Sequence, residues 1–163
     1  MPSLLIVHHS PTGSVQSLTD AVIAGAHDDA IEGVSITARP ALEATADDVL
    51  DADGYLLTTP ANFGYMSGAL KHFFDTTFLQ IGGALSGDGS PGASEGRTAR
   101  RPYGLLVHGR YDTTGAVRSV QSIVTAVGWR QAAPVQEILG DVSQDHLDHA
   151  YDLGATLAAI LSA

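Results

Sequence analysis

A hydroxyl-rich loop is the first stretch of the sequence that could bind a ligand. It runs His-Ser-Pro-Thr-Gly-Ser-Val, with Ser10, Thr12 and Ser14 as hydroxyl donors and Gly13 as a permissive turn residue. A helix is predicted to begin here, and a helix N-terminus favours a phosphate through its N–H groups and its dipole. The loop contains no Lys or Arg, which disfavours a GK[ST] nucleotide loop and favours a phosphomonoester held by neutral donors. The same residues could equally serve as helix caps alone.

A second loop, at residues 59–68, has the features of a platform for a planar ligand. Its sequence is Thr-Pro-Ala-Asn-Phe-Gly-Tyr-Met-Ser-Gly. Pro60 stiffens the turn, while Phe63 and Tyr65 offer flat apolar faces. Gly64 has no Cβ and would allow the backbone to approach a ring closely.

Composition excludes several other kinds of chemistry. Eight Lys and Arg against eighteen Asp and Glu give a net charge of −10, so nucleic acid and anionic membranes are poor partners. The absence of cysteine excludes disulfides, iron–sulfur clusters and thiol nucleophiles. Any redox chemistry must therefore come from a bound cofactor. The N-terminus has no basic region, and its apolar run is only Leu4 to Val7, so we expect a cytoplasmic protein.

Short apolar runs alternate with helical patterns along the chain, which is typical of a parallel sheet with helical crossovers. The predicted strands cover residues 4–7, 34–37, 54–58, 103–108 and 131–138. The predicted helices cover residues 15–27 with Ser14 as N-cap, 45–51, 67–76 with Ser67 as cap, 115–127, and a last helix capped by Ser143, with Leu147, Ala150, Leu157, Ile160 and Leu161 on one apolar stripe.

This pattern predicts one α/β domain over residues 1–163. Five strands with loop-rich carboxyl ends favour a doubly wound parallel sheet in the order 2-1-3-4-5. Ligands bind such sheets at the carboxyl ends of the strands, between the first and third strands. The loops after the first, third and fourth strands should therefore converge.

Two motifs carry a resemblance to a known family. They are Ser10-x-Thr12-Gly13 after the first strand, and Thr59-Pro60-x-x-Phe63-Gly64-x-Met66-Ser67-Gly68-x-x-Lys71-x-Phe73-x-Asp75 after the third. Together they resemble flavodoxin-like FMN proteins, in the branch of the NADPH-dependent FMN reductases and the tryptophan-repressor-binding-protein-like quinone reductases. The resemblance covers nearly the whole chain and implies a flavodoxin-like fold.

The resemblance also implies roles for individual residues. The FMN phosphate would be held by Ser10, Thr12, Gly13, Ser14 and Val15. The isoalloxazine would be flanked by Pro60, Ala61, Asn62 and Phe63, with Gly64 near its N5 edge. The third loop would contact the pyrimidine end of the ring through Gly109, Arg110 and Tyr111. Arg110 could place positive charge beside this end, or it could be a solvated loop residue, and His108 could touch the ring or simply pack in the core.

The implied function is FMN-dependent oxidoreduction, with NAD(P)H as electron donor and a quinone or other small molecule as acceptor. No catalytic side chain and no metal is expected, because the flavin carries the chemistry. A homodimer or homotetramer is expected by the same resemblance. Two alternatives stay open: an electron carrier that docks redox partners through acidic residues between 28 and 53, and a binding module without flavin.

The segment from Gly82 to Arg101 is rich in glycine and serine and has few apolar residues. A long loop of this kind within a domain is often functional. Arg97, Arg100 and Arg101 are three of only eight basic residues in the chain. They could form a lid that recruits the 2′-phosphate of NADPH, or they could lie in a solvated loop or a subunit contact.

Overall fold

Strands and helices alternate along the chain in the computed structural model, which describes residues 1–82, 90 and 96–163. The strands are β1 (Ser3–His8), β2 (Ser35–Pro40), β3 (Gly54–Asn62), β4 (Tyr65–Met66), β5 (Pro102–Gly109), β6 (Arg130–Gln131) and β7 (Gln136–Leu139). The helices are α1 (Gly13–Ala26), α2 (Ala46–Asp51), α3 (Gly68–Ile81), α4 (Thr114–Ala126) and α5 (Gln144–Ser162). Within the described ranges, no helix is long and apolar enough to cross a membrane.

The strands form one twisted sheet in the order β2-β1-β3-β5-β6, with β7 also paired to β5. All of these pairings are parallel. The predicted order 2-1-3-4-5 corresponds to this arrangement, because β5 is the fourth parallel strand and β6 and β7 together occupy the fifth place. The parallel α/β fold is thus confirmed.

The prediction of five continuous strands is wrong at two places. The fifth strand, predicted at residues 131–138, is divided into β6 and β7, and Pro134 lies in the gap, where it has no N–H to donate to a ladder. The loop after β3 turns back as the short strand β4, which pairs antiparallel with the end of β3. The parallel sheet therefore carries a small hairpin at its carboxyl edge.

The sheet is covered by helices on both faces. Side chains alternate along β1, so that Leu5 and Val7 face one apolar cluster with residues of α3 and α4, whereas Leu4 and Ile6 face the other with residues of α1 and α5. Trp129 lies in the first cluster and stacks on Tyr55, with 3.9 Å between the ring centroids. These layers hold the strand ends rigidly in place.

Helices α1 and α5 touch through their backbones. A Cβ atom on Gly25 would lie 1.9 Å from the carbonyl oxygen of Tyr151, and one on Gly154 would lie 1.9 Å from that of Val22. Two glycines, one on each helix, thus permit a helix–helix contact that no larger residue would allow.

Some predicted helix boundaries differ from those observed. Helix α1 begins at Gly13 with Thr12 as its N-cap, whereas Ser14 was predicted, because the Thr12 hydroxyl accepts a hydrogen bond from Val15 N. Helix α3 extends past its predicted end near residue 76 to Ile81, whose side chain is fully buried. The caps Ser67 and Ser143 are confirmed, but Ile160, predicted on the apolar stripe of α5, is exposed.

Candidate functional site

The loops after β1, β3 and β5 converge at the carboxyl edge of the sheet, as the sequence predicts. They enclose a cavity of about 190 Å³ between the N-terminus of α1 and the ends of β3 and β5. Its lining comprises Thr12, Ser14, Val15, Pro60, Ala61, Asn62, His108, Gly109 and Arg110. Hydroxyl groups at a helix N-terminus therefore face one end of this cavity.

A larger cavity, of about 540 Å³, adjoins the first and shares Ala61, Asn62 and Arg110 with it. Its other lining residues are Phe63, Gly64, Tyr111 and Asp112. The Phe63 side chain is fully exposed, and Tyr111 is 95% exposed. Exposed aromatic rings at the mouth of a cleft are suited to contact a flat apolar ligand.

Phe63 and Gly64 form the turn of the β3–β4 hairpin, in which Asn62 pairs with Tyr65. Both turn residues have positive φ, 52° for Phe63 and 75° for Gly64, the pattern of a type I′ turn. Glycine adopts this backbone without cost, whereas a bulky aromatic residue does so only under strain. Strain held at an exposed aromatic residue that gains no packing points to a functional role.

The hairpin is anchored to the sheet through a buried threonine. Thr59 accepts a hydrogen bond from Ser67 N at 3.0 Å and donates one to Pro60 O at 2.8 Å. Ser67 in turn caps α3 by accepting from Leu70 N. The loop predicted as a ligand platform is thus fixed at its base, and its tip projects to the cleft.

Two residues predicted to bind the phosphate, Ser10 and Gly13, line neither cavity. The Ser10 hydroxyl contacts the Thr19 hydroxyl at 2.8 Å and the His8 Nδ1 at 3.1 Å, so it is engaged with the body of the fold. Gly13 is the first residue of α1, where backbone N–H groups lack partners within the helix. The other predicted site residues all line one or both cavities.

The third loop supplies the charged groups of the cleft. Arg110 donates from Nη1 to the Asp141 carboxylate at 2.5 Å, and this ion pair is exposed. Asp112 accepts a hydrogen bond from the backbone N–H of Thr114, which lowers the pKa of Asp112. Among the described residues that line the cleft, Arg110 is thus the permanent cation, and it is held by a carboxylate that follows β7.

The cleft also contains Asp112, which follows Tyr111 in the third loop, and His108, for which contact with the ring is one of the two predicted roles. His108 is buried at the end of β5, and its Nε2 contacts the Gly140 carbonyl oxygen at 2.7 Å. This contact agrees with the packing role considered above, although the ring also lines the smaller cavity.

Arg101 is not part of a nucleotide lid, contrary to one of the two predictions for it. Its Nη1 donates to the Val49 carbonyl oxygen at 3.2 Å and the Ala52 carbonyl oxygen at 2.5 Å, and also contacts the Tyr55 hydroxyl at 3.0 Å. Its positive charge thus offsets the partial negative charge of the carbonyl groups at the C-terminus of α2. Arg97 and Arg100 are exposed, while residues 83–89 and 91–95 of the predicted loop lie outside the described residues.

No group of three or more His, Asp or Glu residues in the described ranges is arranged to hold a metal ion. What the cleft does offer is neutral donors at one end and aromatic surface at the other. The donor set is therefore suited to an organic phosphate that carries a flat ring.

The sheet order and the cleft between β1 and β3 define a flavodoxin-like α/β protein. A flavodoxin from the domain Archaea superposes with a TM-score of 0.78 at 14% identity, covering 99% of both chains. The flavodoxin, WrbA-like protein from Agrobacterium tumefaciens gives 0.72 at 17% identity, covering 99% of this chain and 98% of that one.

Sequence comparison identifies the family. The model for NADPH-dependent FMN reductase matches residues 12–144, and the chain belongs to this family. A flavodoxin of Aquifex aeolicus (strain VF5) is 32% identical over 87 residues, which are 53% of this chain and 46% of that protein. The match to this curated relative thus spans less than half of its length. The predicted family is confirmed.

Proposed function

We propose that the chain binds FMN non-covalently in this cleft and passes reducing equivalents from NAD(P)H through the flavin to a quinone or a similar small acceptor. One observation carries the proposal. Two adjoining cavities, one at the hydroxyl-lined N-terminus of α1 and one beside the exposed side chains of Phe63 and Tyr111, share part of their lining. This arrangement suits a molecule with a phosphate at one end and a planar ring at the other.

The protein's part in this function is to bind and orient. The hydroxyl groups of Thr12 and Ser14, together with the amides of the first turn of α1, would hold the phosphate. The rings of Phe63 and Tyr111 would cover the isoalloxazine. The flavin would supply the hydride and electron-transfer chemistry, so the residues of this chain would bind and orient it and no side-chain acid or base is required.

Arg110 would place a positive charge beside the proposed ring. It lines both cavities, and Asp141 holds its guanidinium at the rim. A positive charge at this place would stabilise negative charge that develops on a reduced ring. The carboxylate of Asp141 offsets part of that charge.

The first test compares FMN with riboflavin, which lacks the phosphate. FMN should bind at least about tenfold more tightly in a fluorescence titration, since hydrogen bonds to a charged group contribute about 1.5–3 kcal/mol. Thr12→Ala should reduce the FMN affinity and leave the riboflavin affinity unchanged. Equal affinities for the two ligands would refute the assignment of the phosphate loop.

The second test addresses the reaction and its donor. Anaerobic NADPH should bleach the bound flavin, and a quinone should sustain steady-state NADPH oxidation. Reduction by NADPH without such turnover would favour the electron-carrier alternative. Arg97→Ala with Arg100→Ala should raise KM for NADPH more than for NADH if these exposed arginines contact the 2′-phosphate, with Arg118→Ala on α4 as control. The predicted homo-oligomer stays a prediction, to be checked by light scattering.

A further inference from the structure

A chain of hydrogen bonds connects the phosphate loop to a histidine that the proposed chemistry does not use. His8 Nδ1 lies 3.1 Å from Ser10 Oγ, Ser10 Oγ lies 2.8 Å from Thr19 Oγ1, and Thr19 Oγ1 lies 3.1 Å from Thr58 Oγ1. Thr19 and Thr58 are fully buried, whereas His8, at the end of β1, and Ser10, in the loop after it, are partly buried. The chain therefore has an inner end and an outer end.

The inner end determines the direction in which the protons point when His8 is neutral. In the described part of the chain, Thr19 is the side-chain partner of the Thr58 hydroxyl, so the buried Thr58 proton has an acceptor when Thr58 donates to Thr19. In this arrangement Thr19 donates to Ser10, and Ser10 donates to Nδ1 of a neutral His8 that carries its proton on Nε2. Every hydroxyl proton is used within the protein, and Ser10 has none left for a ligand.

Protonation of His8 changes which hydroxyl protons have an acceptor within the protein. A cationic His8 donates from Nδ1 to Ser10, whose oxygen can accept bonds from both His8 and Thr19. The Ser10 hydroxyl then has no acceptor among these side chains, so it can donate a hydrogen bond to a phosphate oxygen of the ligand. The same step places a positive charge beside a loop that contains no Lys or Arg.

We propose that His8 is a positioning residue that takes up a proton when a phosphate-bearing ligand binds, and that it thereby turns the Ser10 hydroxyl towards the ligand. This inference rests on the proposed FMN function. It also explains how Ser10, whose hydroxyl is engaged inside the free protein, can act as a phosphate donor.

The surroundings of His8 are consistent with a proton that is taken up on binding. Burial lowers the pKa of His8, and the neighbouring His9 lowers it further. The carboxylates of Asp20 on α1 and Glu43 after β2 act in the opposite direction. A bound phosphate dianion would add to these negative charges and raise the pKa of His8 towards the working pH.

Calorimetry can measure the number of protons taken up when FMN binds. The titration is carried out at pH 7 in two buffers of different ionisation enthalpy. Wild-type protein should take up a fraction of a proton on binding FMN and none on binding riboflavin. His8→Asn should lose the uptake, because an amide can hydrogen-bond to Ser10 but cannot titrate, whereas the matched control His9→Asn should keep it. Between pH 8 and pH 6, the ratio of wild-type to H8N affinity for FMN should rise about tenfold.

The phosphate of FMN itself titrates with a second pKa of about 6. Its contribution to the measured proton uptake is the same for wild-type protein and H8N, so the difference between the two reports His8. If His8→Asn does not fold, NMR titration of the imidazoles of wild-type protein with and without FMN gives the same information, since the pKa of His8 should rise on binding. Equal proton uptake by wild-type protein and H8N, or an unmoved His8 titration, would overturn the inference while leaving FMN binding intact. Failure of FMN to bind would overturn the proposed function as well.

Discussion

Phe63 offers a test in which stability and ligand affinity should change in opposite directions. The change is Phe63→Asn, which would create the Asn-Gly sequence that type I′ hairpin turns prefer. Asparagine tolerates the left-handed backbone, with φ of 52°, that Phe63 adopts. Because the Phe63 ring is fully exposed, the substitution removes no packing from the ligand-free protein.

The expected magnitudes follow from this geometry. A left-handed conformation costs a non-glycine residue about 1–2 kcal/mol, and asparagine recovers part of this cost. The free energy of unfolding of the ligand-free protein should therefore rise by about 1 kcal/mol, equivalent to a thermal midpoint about 2–4 °C higher. Loss of one aromatic face from a bound ring should cost about 1–2 kcal/mol, so FMN should bind about tenfold more weakly.

Urea unfolding of the ligand-free protein and fluorescence titration with FMN measure the two quantities separately. Phe63→Tyr is the matched control, because it keeps both the strained turn and the aromatic face, and it should alter neither quantity by much. A ligand-free F63N protein less stable than wild type would show that the turn is not strained. Unchanged FMN affinity would show that the Phe63 ring does not contact the flavin.

Three further outcomes are expected. Arg101→Ala should lower the free energy of unfolding in urea by about 2–3 kcal/mol, because it removes a charged donor from the carbonyl end of α2. The control Arg118→Ala, on the exposed side of α4, should change this free energy by less than about 0.5 kcal/mol. Gly64→Val places a β-branched residue at a φ of 75°, so it should destabilise the hairpin by about 1–2 kcal/mol and weaken FMN binding. Circular dichroism checks that the fold is kept. Unchanged FMN affinity would show that this loop does not contact the ring. Burial raises the pKa of Tyr55 to about 12, so the folded state favours the neutral phenol; stability should be intact below about pH 10 and fall between about pH 10 and 12. Tyr55→Phe should remove that alkaline loss, measured as the urea midpoint at pH 9 and pH 11.

Most of the fold could be predicted from the sequence because the strands are buried on both faces. The run Leu4 to Val7 is apolar throughout, so it indicates a strand of a covered parallel sheet without any knowledge of its partners. The short strand β4 has no such signal, since it exists only because the turn at Phe63 and Gly64 brings it back against β3. The division of the fifth strand falls at Pro134, which has no N–H to donate to the ladder.

The site was predictable to the extent that it follows from local chain geometry. Thr12, Pro60 and Arg110 lie at or just beyond the carboxyl ends of strands that end at one edge, so topology alone brings them together. Long-range partners could not be predicted. Arg101 was grouped with nearby arginines, but its guanidinium binds carbonyl groups about fifty positions earlier in the chain. Asp141, which holds Arg110, carries no local pattern that distinguishes it from other surface carboxylates.

The backbone contact between α1 and α5 has a consequence for biosynthesis. Proteins fold as they emerge from the ribosome, with the N-terminal part first. The apolar face formed by Leu4, Ile6 and their neighbours on the sheet is covered jointly by α1 and α5, but α5 is translated after every strand it covers. That face of the sheet therefore lacks one of its two covering helices until α5 has been synthesised. Because Gly25 and Gly154 let the backbones of α1 and α5 touch, α5 completes this apolar cluster only by packing directly against α1.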